Sequence, residues 1–118
     1  LFKDYDTQQR TKLTGLEQQY QTMVSQGDLE GALQVREKIG KLLSELTNAQ
    51  EKLVGQGTKA ESQAAYDEVQ KLNQKIIENM KIESELRSKR KEETQWLSSI
   101  RVKSLSQPIQ QMLSDQES

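Results

Sequence analysis

Carboxylate side chains occur in close pairs along this chain, and paired carboxylates could bind a metal ion or act as acid and base. The pairs are Asp4/Asp6, Asp67/Glu68 and Glu92/Glu93. Neighbouring residues of an α-helix point about 100° apart, so adjacent carboxylates do not converge on one ion. The sequence also lacks an Asp-x-Asp-x-Asp-Gly loop and a Glu-x-x-His pair, the spacings typical of calcium and di-iron sites. We interpret the pairs as surface charges.

Histidine and cysteine are absent from the sequence. The chain therefore offers no thiolate nucleophile, no imidazole base and no nitrogen or sulfur ligand for zinc. Its serines have no histidine partner, and no Gly-x4-Gly-Lys loop is present to bind phosphate. Catalysis would have to use Lys, Tyr or carboxylates alone. We predict that the protein is not an enzyme and that it has no cofactor, no metal site and no small-molecule substrate.

One dense basic run could neutralise the phosphates of a nucleic acid or an acidic lipid surface. It consists of Arg87, Lys89, Arg90 and Lys91. Glutamates flank the run on both sides, and Glu83 and Arg87 have the i, i+4 spacing of a helix-stabilising ion pair. We therefore favour a solvated helix face. Nucleic-acid binding through these four residues is the disfavoured alternative.

An apolar cluster follows the basic run and is poorly suited to solvent. Its members are Trp96, Leu97, Ile100, Val102 and Leu105. Trp is enriched among the residues that dominate protein interfaces, so the cluster is a candidate partner-binding surface. The alternative is an ordinary core contact, which would require the helix to bend back. Because no residue there obviously breaks a helix, we favour contact with a protein partner, a second copy of the chain or a segment missing from this sequence.

The composition indicates helices that bury stripes rather than one large core. Of the 118 residues, 32% are hydrophobic and 30% are charged, with a net charge of −1. Globular domains are richer in apolar residues, but near-zero net charge removes the self-repulsion typical of disordered chains. No apolar run approaches the roughly 20 residues that span a bilayer. Because the chain begins at Leu1 rather than Met, we expect it to be a piece or a processed product of a longer protein.

The apolar residues recur with helical spacing throughout. In the middle of the chain they step by three and four without a fault, at Ala32, Val35, Ile39, Leu42, Leu46, Ala49 and Leu53. This alternation is typical of a coiled-coil-like seam. A later seam runs Ala65, Val69, Leu72 and Ile76, and then meets Asn79 and Glu83 in the same frame. The pattern predicts an all-α protein with helices at about residues 2–26, 28–54 and 58–106.

Glycines mark the breaks between these helices. Gly27 can end the first helix in the left-handed conformation, and Asp28 can cap the second. Thr58 and Glu61 have the spacing of a capping box at the start of the third. Glycines within the helical segments either permit close helix approach or mark weak points, and the sequence does not choose between these readings. They are Gly15, Gly31 and Gly40.

The third helix has no Gly or Pro from residue 58 to 107, which makes it much longer than the first two. We predict an elongated, antiparallel, three-helix coiled-coil-like bundle over residues 1–107. The third helix would pack along the second from residue 58 to about 82, and residues 83–106 would project beyond it. A short amphipathic or disordered tail, with Ile109, Met112 and Leu113, would follow Pro108 over residues 108–118.

The first interhelical turn carries a recognisable string. It runs Leu16-x3-Tyr20, then Gly27-Asp28-Leu29-Glu30-Gly31-Ala32-Leu33-Gln34-Val35-Arg36-Glu37-Lys38-Ile39, then Leu42. The string resembles the UVR motif of bacterial excision-repair subunits, with Leu29 where that motif favours Phe. The matching positions are Asp28, Glu30, Ala32, Val35, Arg36, Glu37 and Ile39. It also resembles a single tetratricopeptide-like hairpin, and a hairpin of exported proteins from planctomycete- and verrucomicrobial-type bacteria.

All three resemblances imply a helical hairpin used for packing or binding, and the UVR resemblance implies pairing with a repair partner. From the residues, we predict a non-catalytic structural or protein-interaction module, a spacer or assembly region of a larger protein, and the resemblances imply that this protein is bacterial. The alternative is a nucleic-acid or repair-complex accessory that uses the UVR-like hairpin and the basic run. The compartment, exported or cytoplasmic, stays open.

Overall fold

A computed structural model describes residues 2–104 of the chain, with side chains to residue 102. Three helices are present: α1, Phe2–Ser25; α2, Leu29–Glu51; and α3, Lys59–Ser104. The all-α class and the three helices are therefore confirmed, and no strand occurs within residues 2–104. The predicted tail at 108–118, with Ile109, Met112 and Leu113, lies outside the described residues, as does Leu105.

The turn between α1 and α2 has the caps that the sequence predicts. Gly27 has φ +72°, a conformation that glycine adopts without strain. The amide of Gly27 donates to the carbonyl of Val24, and that of Asp28 donates to the carbonyl of Met23, which together form a Schellman motif. Asp28 then caps α2, because its Oδ1 accepts a 2.8 Å hydrogen bond from the amide of Gly31.

The connection to α3 is also closed by local hydrogen bonds. The hydroxyl of Thr58 accepts from the amide of Glu61 at 3.1 Å, and the Glu61 carboxylate accepts from the amide of Thr58 at 3.4 Å. This is the reciprocal pattern of a capping box. Within the loop, the amide of Gly55 donates to the Ser62 hydroxyl at 2.6 Å. Because Thr58 is the cap, α3 begins one residue later than predicted.

The chain divides into two compact units, Leu1–Leu86 and Arg87–Ser118. In the first, the three helices bury a common apolar core to which α2 contributes most. The core residues are Leu13 of α1; Ala32, Leu33, Val35, Ile39, Leu42, Leu43 and Leu46 of α2; and Ala65, Val69, Leu72 and Leu86 of α3. Most residues of the two predicted seams are therefore in the core, together with Leu33 and Leu43 beside the seam of α2.

Contacts between α1 and α2 occur in opposite order along the two helices. At one end, Phe2 of α1 and Ala49 of α2 line the same surface cavity. At the other, the guanidinium of Arg36 lies over the ring of Tyr20, 4.7 Å from its centroid. The order is consistent with an antiparallel arrangement of the first two helices, which stays a prediction.

The packed part of α3 is longer than expected. The sequence predicts that contact with the second helix ends near residue 82. Instead, Leu86 is buried in a cluster with Ala32 and Leu33 of α2. The side chains of Asn79 and Glu83 interrupt the apolar seam without ending the packing, because Asn79 is itself buried and hydrogen-bonded.

Candidate protein-interaction surface

Three members of the predicted apolar cluster share one face of α3. Trp96 is 61% exposed, Leu97 54% and Ile100 44%. Residues three or four apart on a helix are surface neighbours, so Ile100 lies beside both of the others. We call these three residues the apolar patch. Large apolar side chains grouped in this way indicate a surface suited to contact with another protein.

The other two predicted members do not extend the patch. Val102 is partly buried, and helical geometry turns it about 120° from Trp96 and about 160° from Ile100. It therefore belongs to another side of the helix. Leu105 lies outside the described residues. The prediction grouped the five residues because they are close along the chain. The helical period places Val102 on a different side from Trp96, Leu97 and Ile100.

α3 reaches the apolar patch without a break, since it is helical from Lys59 to Ser104. An ordinary core contact for the cluster stays the alternative prediction. Beside the patch, Leu97 lines a shallow depression together with Thr94, Ser98 and Arg101. The apolar surface thus borders polar and cationic groups, which is the arrangement of a small interface with a polar rim.

The basic run does not form one cationic face. Arg87, Lys89, Arg90 and Lys91 are all exposed. Arg87, Arg90 and Lys91 lie three or four residues apart and share a side of α3. Lys89 points about 160° away from Arg87. Arg87 and Arg90 also take part in interactions within the chain. Nucleic-acid binding through the four residues stays a prediction.

The residues that carry the UVR resemblance lie at the hairpin turn and in the core. Ala32, Val35 and Ile39 are buried, and Asp28 is the helix cap. Arg36 is also buried, and its burial lowers the pKa of the guanidinium, although the nearby Tyr20 and carboxylates oppose that effect. Packing and capping therefore occupy most of these side chains. The resemblance itself stays a prediction.

Two polar contacts between helices were not anticipated from the sequence. Arg10 of α1 donates to Glu68 of α3 at 2.6 Å and to Asp6 at 2.9 Å. Burial alone would lower the pKa of Arg10, but the hydrogen bonds and charges of both carboxylates raise it overall. In the core, Asn79 donates to the backbone carbonyl of Arg36 at 3.0 Å. The sequence signal for the Asn79 contact was the position of this polar residue within an apolar seam.

The paired carboxylates lie at the surface or in ion pairs. Asp6 and Glu68 bind Arg10, and Glu92 and Glu93 are exposed. Among the residues that the structure describes, no three His, Cys, Asp or Glu side chains are grouped as a metal site would require. In the same part of the chain, no helix combines the length and the apolarity needed to cross a bilayer.

No protein family, curated protein or solved structure matches this chain.

Proposed function

We propose that this chain is a non-catalytic structural or protein-interaction module that docks to another protein through the apolar patch of α3. The observation that carries the proposal is the exposure of Trp96, Leu97 and Ile100 on one face of a regular helix. Covering such side chains removes apolar area from water, at about 25 cal/mol per Å². Nothing in the patch itself suggests chemistry other than contact.

The residues around the patch support a protein partner rather than a lipid or nucleic-acid one. Glu93 lies one turn before the patch on the same side, and Arg101 follows it. Charges of both signs at the rim favour a partner that also carries both signs, as protein surfaces do. Trp96 is the type of residue that anchors small interfaces. Three apolar residues make a limited contact, so we expect moderate affinity.

The experiment compares two variants in the cells that naturally make the protein. Ile100→Glu places a charge in the patch. Gln95→Glu adds the same charge about 140° from Ile100, on another side of α3. In gentle cell extracts separated by size, we expect the wild-type chain and Gln95→Glu to elute in a complex and Ile100→Glu to elute at a smaller size. Equal elution of all three contradicts the proposal, provided that circular dichroism shows equal helicity.

A further inference from the structure

A second stripe of α3, within the bundle, is exposed and carries no charge. It consists of Tyr66, Gln70, Asn73, Ile77, Met80 and Ser84, and we call it the neutral stripe. Its residues step by four and three, the spacing of a coiled-coil seam. The three large side chains in it, Tyr66, Ile77 and Met80, are between 47% and 61% exposed.

The neutral stripe lies beside the buried seam of α3. Each stripe residue follows a seam residue by one position, as Tyr66 follows Ala65 and Ile77 follows Ile76. It is therefore turned about 100° from the core and extends for about 27 Å along the helix. The charged residues of this part of α3 lie outside the stripe. They are Asp67, Glu68, Lys71, Lys75, Glu78, Lys81 and Glu83.

We propose that the neutral stripe is the interface through which two copies of this chain associate, with their α3 helices antiparallel. In that arrangement Gln70 packs opposite Met80 of the second copy, and Asn73 packs opposite Ile77. Tyr66 then meets Ser84 at each end. Large side chains thus face smaller or amide side chains. Because the pair is two-fold symmetric, each of these contacts occurs twice in the dimer.

The charges at the edge of the stripe specify a second copy as the occupant. In the antiparallel register, Asp67 lies next to Lys81 of the second copy, and Lys81 lies next to its Asp67. Gln74 lies next to Gln74 between these pairs. A parallel pair would instead place Asp67 next to Ser62 and Lys81 next to Ile76 of the second copy, so that neither charge would meet an opposite one. The other edge of the stripe is Val69, Ile76 and Glu83. Val69 and Ile76 pack in the bundle, and the Glu83 carboxylate lies 3.5 Å from the Nδ2 atom of Asn79.

This interface is separate from the apolar patch, and it does not rest on the proposed function. The neutral stripe lies within residues 66–84 of the bundle, whereas the patch begins at Trp96. Variants in one surface therefore leave the other intact, and the two proposals fail independently.

Charge-reversal variants test the pairing by sedimentation equilibrium of the full chain. We expect the wild-type mass to rise with concentration from that of one chain to that of two. Asp67→Lys and Lys81→Asp should each weaken the dimer about tenfold, because each replaces two attractive pairs by two repulsive ones. The double variant, Asp67→Lys with Lys81→Asp, should restore wild-type affinity. Lys75→Asp, the matched control on the opposite side of α3, should leave it unchanged.

Several results would overturn this pairing. A wild-type chain that stays monomeric at every concentration removes it. Single reversals without effect, a double variant that does not recover, or a Lys75→Asp variant that weakens the dimer equally would each exclude the antiparallel register. Loss of the dimer in Ile100→Glu would assign self-association to the apolar patch instead. Circular dichroism of each variant confirms that the helices are retained.

Discussion

The side-chain amide of Asn79 donates a 3.0 Å hydrogen bond to the backbone carbonyl of Arg36, at the level where α2 carries Gly40. A Cβ at residue 40 would lie 2.9 Å from the Asn79 Nδ2 atom. Because glycine has no Cβ, the buried amide of Asn79 fits in the space beside residue 40. Asn79 is 1% exposed, and its Nδ2 is also 3.5 Å from the Glu83 carboxylate. Gly40 and Asn79 form one packing unit across α2 and α3.

Gly40→Ala should therefore destabilise the protein. Alanine is the better helix former by about 1 kcal/mol, but overpacking against the hydrogen-bonded amide costs about 1–3 kcal/mol. We expect a net loss of about 1 kcal/mol in the free energy of unfolding, measured with urea. In an Asn79→Ala background the obstruction is gone, and the same substitution should stabilise instead.

Gly15→Ala is the matched control for this cycle. A Cβ at residue 15 meets nothing within 4 Å, so this substitution should stabilise by up to about 1 kcal/mol. Equal effects of Gly40→Ala in the wild-type and Asn79→Ala backgrounds would show that the two residues are not coupled.

The stacking of Arg36 on Tyr20 should be measurable as a coupling free energy. Arg36→Met keeps most of the apolar stem and removes the buried charge, and Tyr20→Leu removes the ring. A cation–π contact of this kind contributes about 0.5–2 kcal/mol. We expect the double variant to lose about 1 kcal/mol less free energy of unfolding than the two single variants lose in sum, measured with urea. Strict additivity would show that the 4.7 Å stacking does not stabilise the fold.

The ion pair between Arg10 and Glu68 should contribute modestly and in a salt-dependent way. Both side chains are partly exposed, so Glu68→Gln should cost about 0.5–1 kcal/mol at low ionic strength. The cost should shrink near 1 M salt, where the screening length is about 3 Å. In an Arg10→Met background, Glu68→Gln should have almost no effect. The same cost in both backgrounds would assign it to something other than the pair.

The cap of α2 gives a prediction with an isosteric control. Asp28→Ala removes the acceptor for the Gly31 amide and should lower the free energy of unfolding by about 1 kcal/mol. Asp28→Asn retains a side-chain oxygen at the same place and should cost much less. Thermal unfolding followed by circular dichroism distinguishes them, and equal losses for the two variants would argue against capping as the cause.

The sequence alone predicts the helices and their caps because both depend on local rules. The three- and four-residue steps at Ile39 and Leu42 identify the buried side of α2, and Gly27 with Asp28 identifies the turn. Contacts between distant residues are less predictable. The seam pattern suggests that Asn79 interrupts the packing. The structure shows instead that α2 lies close to α3 at Gly40, where the Asn79 amide is buried and hydrogen-bonded.

The candidate surface was predictable only in part, because it depends both on local sequence and on contacts between distant residues. Trp96, Leu97 and Ile100 stand out because large apolar residues cluster there without a seam partner. Their exposure depends on which helices pack beside α3, which a single sequence does not specify. The prediction included Val102 in the cluster, although residues that are close along the chain need not share a helix face. The glycines differ likewise: Gly40 allows a close approach, whereas Gly15 faces open space.

Photo-crosslinking from the apolar patch tests the proposed docking most directly. A benzophenone amino acid replaces Leu97 in the full protein, and in a matched variant it replaces Gln95, which points about 160° away from Leu97 on the same helix. After illumination in the natural cells, we expect a discrete crosslinked product from position 97 and little from position 95. Crosslinking that is absent at position 97, or equal at the two positions, would contradict a protein contact at this patch.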